Sequence, residues 1–451
     1  MSARQKDLHE ALSDSCERHG VPGASVGVLV DGEVVATAHG VQNAERDTPM
    51  TTDTHVQVAS ITKTFTSAAV MLLVEEGLVA LDDPVGRHLP DLGTQTGLDA
   101  DAITLEHLLS HQSGFDGDHL FVTGDQRVEA LADARRLFEP GTGFSYSNAG
   151  FSLAGEVVAA VSGLPYDRFV RERLLKPLGF SSAGFTADHL ITYPVASPHW
   201  VYEGEAHVLR GGGWQPKWEL QPLDWAAGGL VATCDQLLEW GRLQWTGTDA
   251  QGARLLSEES LARLHTPVVD GEPLDAIALD WYVREIDGAT TIGHGGLTAG
   301  YLSNLLVLPE REAVVVCLTN ATNGHAVIHD VRRWALEHLL GLRQADPDPD
   351  PSITVDVTRL HGTYVHPFSL LDVEAGPDDD SVRVAPRANP EAVGWQPPLE
   401  SPVICRFFTA ADVVGADEGP GSPTVARFDL GDDGEPAEWI QWGGRRGPRV
   451  A

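Results

Sequence analysis

Ser60-Ile61-Thr62-Lys63-Thr64-Phe65-Thr66-Ser67-Ala68-Ala69-Val70-Met71-Leu72-Leu73 is the stretch on which the fold of this chain turns. Phe65, Ala68, Ala69, Leu72 and Leu73 recur at helical spacing and the run stops at Gly77, which predicts a buried helix closed by a glycine cap. Ser60 then stands at the entry of that helix. Lys63 lies three positions on, on the same helical face, so its amine can reach the hydroxyl. A lysine sheltered from water beside positive or dipolar groups loses its proton more readily and can act as a base. The chain holds only four lysines, Lys6, Lys63, Lys176 and Lys217, and a chance Ser-x-x-Lys still arises about one time in four. The motif therefore needs company to carry weight.

Upstream, residues 3 to 19 read as an opening helix. Residues 24 to 30, the dipeptide Asp31-Gly32 and residues 33 to 38 read as a strand, a primed turn and a returning strand. Downstream, a mostly helical middle includes residues 105 to 110, 155 to 161 and 166 to 175, broken by turn signals at Glu139-Pro140-Gly141 and Lys176-Pro177-Leu178-Gly179. Strand-like runs return at 278 to 286, 301 to 308 and 313 to 318, before a last helix near 327 to 340. Asp346-Pro347-Asp348-Pro349-Asp350-Pro351 cannot continue that helix, because each Pro lacks an N–H and restricts its predecessor. Residues 344 to 351 are read as a linker. Beyond it, residues 370 to 373, 381 to 384, 403 to 408 and 424 to 430 alternate with turn residues, so 352 to 451 is expected to be a small all-β barrel or sandwich.

Two further segments carry candidate chemistry. Tyr146-Ser147-Asn148 follows the Pro140-Gly141 turn on a loop that feeds a helical run. Gly293-His294-Gly295-Gly296 opens a strand-like segment whose glycines let a ligand's backbone approach closely, although a His beside Gly-Gly is more often a turn. In chain order, Ser60-x-x-Lys63, Tyr146-x-Asn148 and His294-x-Gly296 resemble the motif triplet of class C β-lactamases, penicillin-binding proteins, D-peptidases and related esterases. The resemblance extends to His107-Leu108-Leu109-Ser110-His111-Gln112-Ser113-Gly114 and to Ala227-Gly228-Gly229-Leu230, and covers about residues 8 to 340. It implies an α+β fold for residues 1 to 343, a β-lactamase/transpeptidase-like sandwich of antiparallel sheet and flanking helices with a helical subdomain. A lipocalin-like barrel would follow the linker.

Carried over residue by residue, the resemblance makes Ser60 the nucleophile, Lys63 its base and Tyr146 the group that passes a proton to the leaving atom. Asn148 would bond substrate amides, and the backbone N–H groups of Ser60 and Leu297 would form the oxyanion hole, beside Gly295 and Gly296. His294 stands where the family usually has Lys, which weakens the case for binding a β-lactam carboxylate. Trp225, ahead of an expected Ala226-to-Leu230 strand, is either a pocket wall or ordinary packing. Arg445 and Arg446 could meet a substrate carboxylate or carbonyl, or form a solvated basic turn.

Composition trims the other classes. A formal charge of −34 would repel phosphate backbones and anionic lipid, so neither nucleic acid nor membrane is expected as a partner. Cys16, Cys234, Cys317 and Cys405 show no Cys-x-x-Cys spacing, and neither a disulfide framework nor a zinc site is implied. His107 and His111 at i, i+4 are the one metal-like pair, but Ser110 and Gly114 break the helix and no third ligand is apparent; no metal or other cofactor is expected. Gly211, Gly212 and Gly213 lack the flanking strand and helix of a phosphate loop. Residues 1 to 20 carry Lys6, Asp7, His9, Glu10, Asp14, Glu17 and Arg18, which leave no apolar core for a secretory signal, so a soluble, cytoplasmic protein is expected.

A cytoplasmic chain with a β domain after the catalytic domain resembles the penicillin-binding-protein-type thioesterases, stand-alone cyclases of non-ribosomal peptides. That resemblance implies a peptidyl thioester, which a carrier protein could present, as substrate, and head-to-tail macrolactam formation as outcome. A D-stereospecific peptidase, esterase or β-lactamase-like hydrolase using the same residues is the alternative, and a catalytically silent binding protein the third.

Overall fold

The computed structural model describes residues 1–119, 127–211, 218–378, 380–390, 401–415, 424–431 and 434–450. Gly212 and Gly213 of the triglycine lie outside these. The fold is α+β, and contacts gather the chain into two units. One comprises Met1–Ala80, Ala154–Pro267 and Ala278–Gln344; the other comprises Leu81–Leu153, Val268–Ile277 and Ala345–Ala451. Residues 1 to 343 thus contribute to both.

The first unit is built on antiparallel strands in the spatial order Arg46–Pro49, Glu33–Asn43, Gly23–Val30, Ala313–Thr319, Tyr301–Leu308, Ala289–Thr298 and Tyr282–Ile286. Gly23–Val30 and Ala313–Thr319 are buried along their whole lengths, which is why both read as apolar runs without alternation. Asp31 and Gly32 join the first hairpin with φ of 54° and 74°, the left-handed pair a primed turn demands. On one face, the helices Ala3–His19 and His325–Leu340 seat Leu8, Leu12, Val327 and Val331 against Val26 and Val28. Fully buried side chains of this size contribute about 1.5–3 kcal/mol each.

The other face carries the helix Cys234–Thr246, begun by a capping box between Thr233 and Gln236 and ended at Gly247 in the left-handed region. Its Trp240 ring stacks on Phe65 at 3.7 Å, and the indole N–H donates to Thr64 Oγ1 at 2.9 Å. These two contacts fix the helix Thr62–Glu75, whose residues 62 to 73 are all buried. Gly77, at φ 69°, stops it where the sequence predicts.

In the second unit, eight antiparallel strands follow one another in chain order from Gly362–Val365 to Arg445–Pro448. The last returns to the first: Val450 N–H donates to the Thr363 carbonyl at 2.8 Å, and Tyr364 bridges Arg449. The result is the nearly closed, lipocalin-like barrel expected for the C-terminal region, filled by Tyr364, Leu371, Val384, Phe407, Phe428 and Ile440. The same unit holds the helical insert with Leu105–Leu109 and the start of Asn148–Ser162. All four cysteines are buried and none forms a disulfide. Among the described residues no helix is long and apolar enough to cross a membrane.

Two elements depart from expectation. Residues 226 to 230 do not form a strand: Trp225–Gly228 is a single helical turn, and the strand is only Val231–Ala232. The turn leaves the carbonyls of Ala226 and Ala227 to accept side-chain donors from the buried helix, from Thr66 and Lys63. The strand expected from residue 278 begins only at Tyr282, because Asp280 takes φ 69° in a tight reversal where Ala278 N–H meets the Trp281 carbonyl.

Candidate active site

In the first unit, Ser60 lies in a 3-10 turn, Ala59–Ile61, that runs straight into Thr62–Glu75. The turn is tied on both sides. Val58 N–H donates to the Leu230 carbonyl, and Thr62 Oγ1 donates to the Ala59 carbonyl at 2.6 Å while accepting from Leu230 N–H at 3.1 Å. Ala59 pays for the sharp entry with φ 51°, a left-handed conformation that costs a residue with a Cβ about 1–3 kcal/mol. Lys63 is 0% exposed, and its amine donates to Ser60 Oγ at 3.1 Å and to the Ala227 carbonyl at 2.5 Å. A hydroxyl and a buried amine at this separation can exchange a proton without rearrangement.

The strand Ala289–Thr298 passes close over this turn. A Cβ at Gly296 would lie 2.4 Å from the Val58 carbonyl oxygen and 2.3 Å from Ser303 Oγ, so only glycine fits there. Ser303 Oγ donates to that same Val58 carbonyl at 2.8 Å, locking strand to turn. Gly295 and Leu297 flank the contact, and the Leu297 side chain is 44% exposed. His294 is turned inward, its side chain only 4% exposed. Its Nε2 faces Asp280 Oδ1 at 3.3 Å, its Nδ1 meets the Gly295 carbonyl, and its ring stands edge-on to Tyr282 at 5.2 Å. Both ring nitrogens therefore face oxygen acceptors. Trp225 is half-buried, with its indole N–H donating to the Leu220 carbonyl at 3.0 Å and its ring 6.0 Å from Phe185.

In the second unit, the loop Ser145-Tyr146-Ser147 is held by His111 and by the last barrel hairpin. Ser147 N–H donates to His111 Nδ1 at 2.9 Å, and the imidazole stacks on the Tyr146 ring at 4.4 Å. That nitrogen is thus engaged with the loop rather than offered to a metal. Tyr146 N–H donates to the Gly444 carbonyl at 2.9 Å, and Arg446 N–H donates to Ser145 Oγ at 3.1 Å. Asn148 Nδ2 donates to Asp118 Oδ1 at 2.5 Å, and the other oxygen of Asp118 accepts from Arg445 Nε. The Arg445 guanidinium lies 4.8 Å from the centre of the Tyr146 ring. Burial, and then the neighbouring Asp118 carboxylate, push Asp116 above the usual carboxylate range. Arg446 sits between Trp439 at 3.9 Å and Phe138 at 4.7 Å, and burial lowers its pKa. A solvated basic turn is therefore not what the two arginines form.

The family model for Beta-lactamase matches residues 7–339. The chain belongs to the Beta-lactamase family. A curated relative, penicillin-binding protein 4 of Amycolatopsis lactamdurans, is 30% identical over 364 residues, which is 77% of this chain and 93% of the relative. Among solved structures, SurE is similar over 99% of both chains, with 25% identity and a TM-score of 0.74. A D-stereospecific amidohydrolase from Streptomyces sp. is 27% identical over 69% of this chain and 94% of its own, with a TM-score of 0.57. This Beta-lactamase family fold is one of serine acyl-transfer or hydrolase enzymes.

Within this Beta-lactamase family chain, Ser60, Lys63, Trp225, His294, Gly295, Gly296 and Leu297 belong to the first unit, and Tyr146, Asn148 and Arg446 to the second. The structure brings Ser60 directly to Lys63, and draws Asn148 and Arg445 together through Asp118. Sequence reasoning missed Asp118 and Asp280, which lie outside the three motifs, and assigned His111 no role beyond half of a metal-like pair. The His107-to-Gly114 segment already signalled His111 through its family resemblance.

Proposed function

We propose that the chain is a peptidyl acyltransferase that closes a peptide head to tail. Ser60 Oγ attacks the thioester carbonyl, the thiol departs with a proton, and the peptide becomes an ester of Ser60. The peptide's own amine then attacks that ester, the amide bond forms, and Ser60 leaves with its proton restored. Lys63 takes the Ser60 proton in the first step. Tyr146 is assigned the proton given to the leaving atom and Asn148 the contact with substrate amides, both carried over from the family motifs. The backbone N–H groups of Ser60 and Leu297 are assigned to the developing oxyanion. No step draws on a cofactor.

One observation carries the reading of the acyl donor. The Beta-lactamase model ends at residue 339, whereas similarity to SurE runs through the C-terminal barrel to 99% of both chains, and SurE has also been solved with D-Leu. A D-residue at the acyl donor's C-terminus is the reading this supports, with a carrier protein as the presenting partner. Once the peptide is esterified, its amine is tethered, and an effective molarity far above that of a free amine favours ring closure over release to water. The test is to incubate the protein with a peptidyl thioester ending in a D-residue and weigh the products. A cyclic product, abolished by Ser60→Ala, supports the reading; linear acid alone overturns it.

The similarity to a D-stereospecific amidohydrolase favours a second reading, hydrolysis through the same acyl-enzyme. Turnover of small D-amino acid amides or esters to free acids, without cyclic product from the thioester, is its signature.

A further inference from the structure

We infer that Asp118 and Arg445 are positioning residues for the proton-donating Tyr146 and its neighbour Asn148, which makes the last hairpin of the barrel a working part of the Tyr-x-Asn element. The inference rests on the role proposed above for Tyr146. Six contacts in the second unit support it. Tyr146 N–H is bound by the Gly444 carbonyl, so the tyrosine's own backbone is anchored to the turn between the last two barrel strands. Arg446 N–H anchors the preceding residue through Ser145 Oγ. Arg445 Nε donates to Asp118, and the opposite oxygen of Asp118 receives the Asn148 amide nitrogen. The guanidinium that makes this bridge also covers the Tyr146 ring at 4.8 Å, while His111 stacks on it at 4.4 Å.

The chemistry of the bridge is specific. The Asp118 side chain is 1% exposed, so its carboxylate needs the donors it has: the Asp118–Arg445 pair is an ion pair screened from water. Because Asp118 accepts from Asn148 Nδ2, the amide's orientation is set: its nitrogen is committed to the carboxylate and its oxygen points the other way. A cation held over a phenol ring is attracted to the ring's negative face, and it stabilises negative charge that grows on the oxygen as the proton departs. Arg445 thus brings a cation to the Tyr146 ring from the barrel hairpin of the same unit.

Removing Arg445 alone would strand a buried carboxylate, so the primary variant is the double substitution Asp118→Asn/Arg445→Met, with Arg445→Lys as the conservative partner. The readout is a pair of esters of one acyl group, a p-nitrophenyl ester whose leaving group needs no proton and an ethyl ester whose alkoxide does. If Arg445 and Asp118 act through Tyr146, the double variant loses less than about threefold on the first and about thirtyfold or more on the second, with partial recovery of the ethyl ester rate in Arg445→Lys. Equal losses on both esters, or wild-type rates on both, overturn the inference. A folded wild type inactive on both would remove the role of Tyr146 and this inference with it. Failure of the wild type to make a macrolactam while it cleaves both esters defeats the cyclase reading alone, because the ester pair reports acylation of Ser60 whatever resolves it.

Discussion

Lys63→Met separates the chemistry of the buried amine from its contribution to the fold. Met matches the length of the lysine stem and keeps the site filled, while the bonds to Ser60 Oγ at 3.1 Å and to the Ala227 carbonyl at 2.5 Å are lost. An unsatisfied buried carbonyl costs about 1–3 kcal/mol, partly offset because a polar amine is no longer buried at a site with 0% exposure. The net change in stability is therefore about 1–2 kcal/mol, a shift of a few degrees in thermal midpoint for a chain of this size. Loss of a general base is worth about 100- to 10,000-fold, or about 3–5 kcal/mol of activation free energy. Stopped flow with an activated thioester, together with intact-mass detection of the acyl-enzyme, measures Ser60 acylation directly. The expected result is a fold that melts within a few degrees of the wild type and acylates at least about 100-fold more slowly. Acylation within tenfold of the wild type at neutral pH would refute the assignment of Lys63 as base.

Three further outcomes are expected. Gly296→Ala puts a methyl 2.3 Å from Ser303 Oγ and 2.4 Å from the Val58 carbonyl, so it should push the strand off the nucleophile turn. Acylation should fall about 100-fold, while the overpacking costs only about 1–3 kcal/mol in a denaturant titration. Asp280→Asn keeps a residue that tolerates φ 69° but removes the carboxylate facing His294; steady-state ester turnover should drop about tenfold or more with little change in thermal midpoint, and unchanged turnover would make Asp280 structural only. His366 reports on acid stability. Burial first, and then Arg445, push its pKa down to about 3, and in the fold its Nε2 donates to the Trp442 carbonyl while its Nδ1 accepts from Phe368 N–H. The unfolded chain takes up this proton near pH 6.5 and the folded chain does not, so the stabilisation is complete above pH 6.5. It is lost at about 1.4 kcal/mol per pH unit as pH falls toward 3. Urea midpoints of the wild type and His366→Gln between pH 7 and 4 should diverge by this slope, and parallel curves would count against it.

What the sequence made legible was local. Ser60 and Lys63 are three residues apart, one in a 3-10 turn and the other in the helix that turn runs into, so local helical geometry puts amine and hydroxyl together, and the structure finds them 3.1 Å apart. Gly77 and Asp31-Gly32 mark their turns because backbone sign is a property of the residue. The barrel is legible as alternating strands and turns, but not its closure, which depends on Thr363 and Val450 meeting across the whole domain. Trp225–Gly228 was misread because Ala-Ala-Gly-Gly carries no strong local preference. Its helical turn is selected by tertiary partners, the carbonyls of Ala226 and Ala227 receiving Thr66 and Lys63. Asp280 was overlooked since nothing in Leu279-Asp280-Trp281 announces a left-handed aspartate, and the His294 it faces lies on another strand.

Arg445 and Arg446 show the same limit at its sharpest. Adjacent residues of a strand point to opposite faces, so one dipeptide in a hairpin serves two environments. Arg445 pairs across the hairpin with Trp442 and sends its guanidinium to Asp118, 327 residues away in the chain; Arg446 pairs with Gln441 and slots between Trp439 and Phe138. The sequence allows the pair a substrate carboxylate or carbonyl, or a solvated basic turn. Alternation makes them inequivalent: one cation is spent on a carboxylate and the ring of Tyr146, the other on two aromatic faces at a pKa that burial has lowered. Losing Arg445 should therefore change how the tyrosine handles its proton, whereas losing Arg446 removes a packed cation from between two rings and should register first in the stability of the second unit.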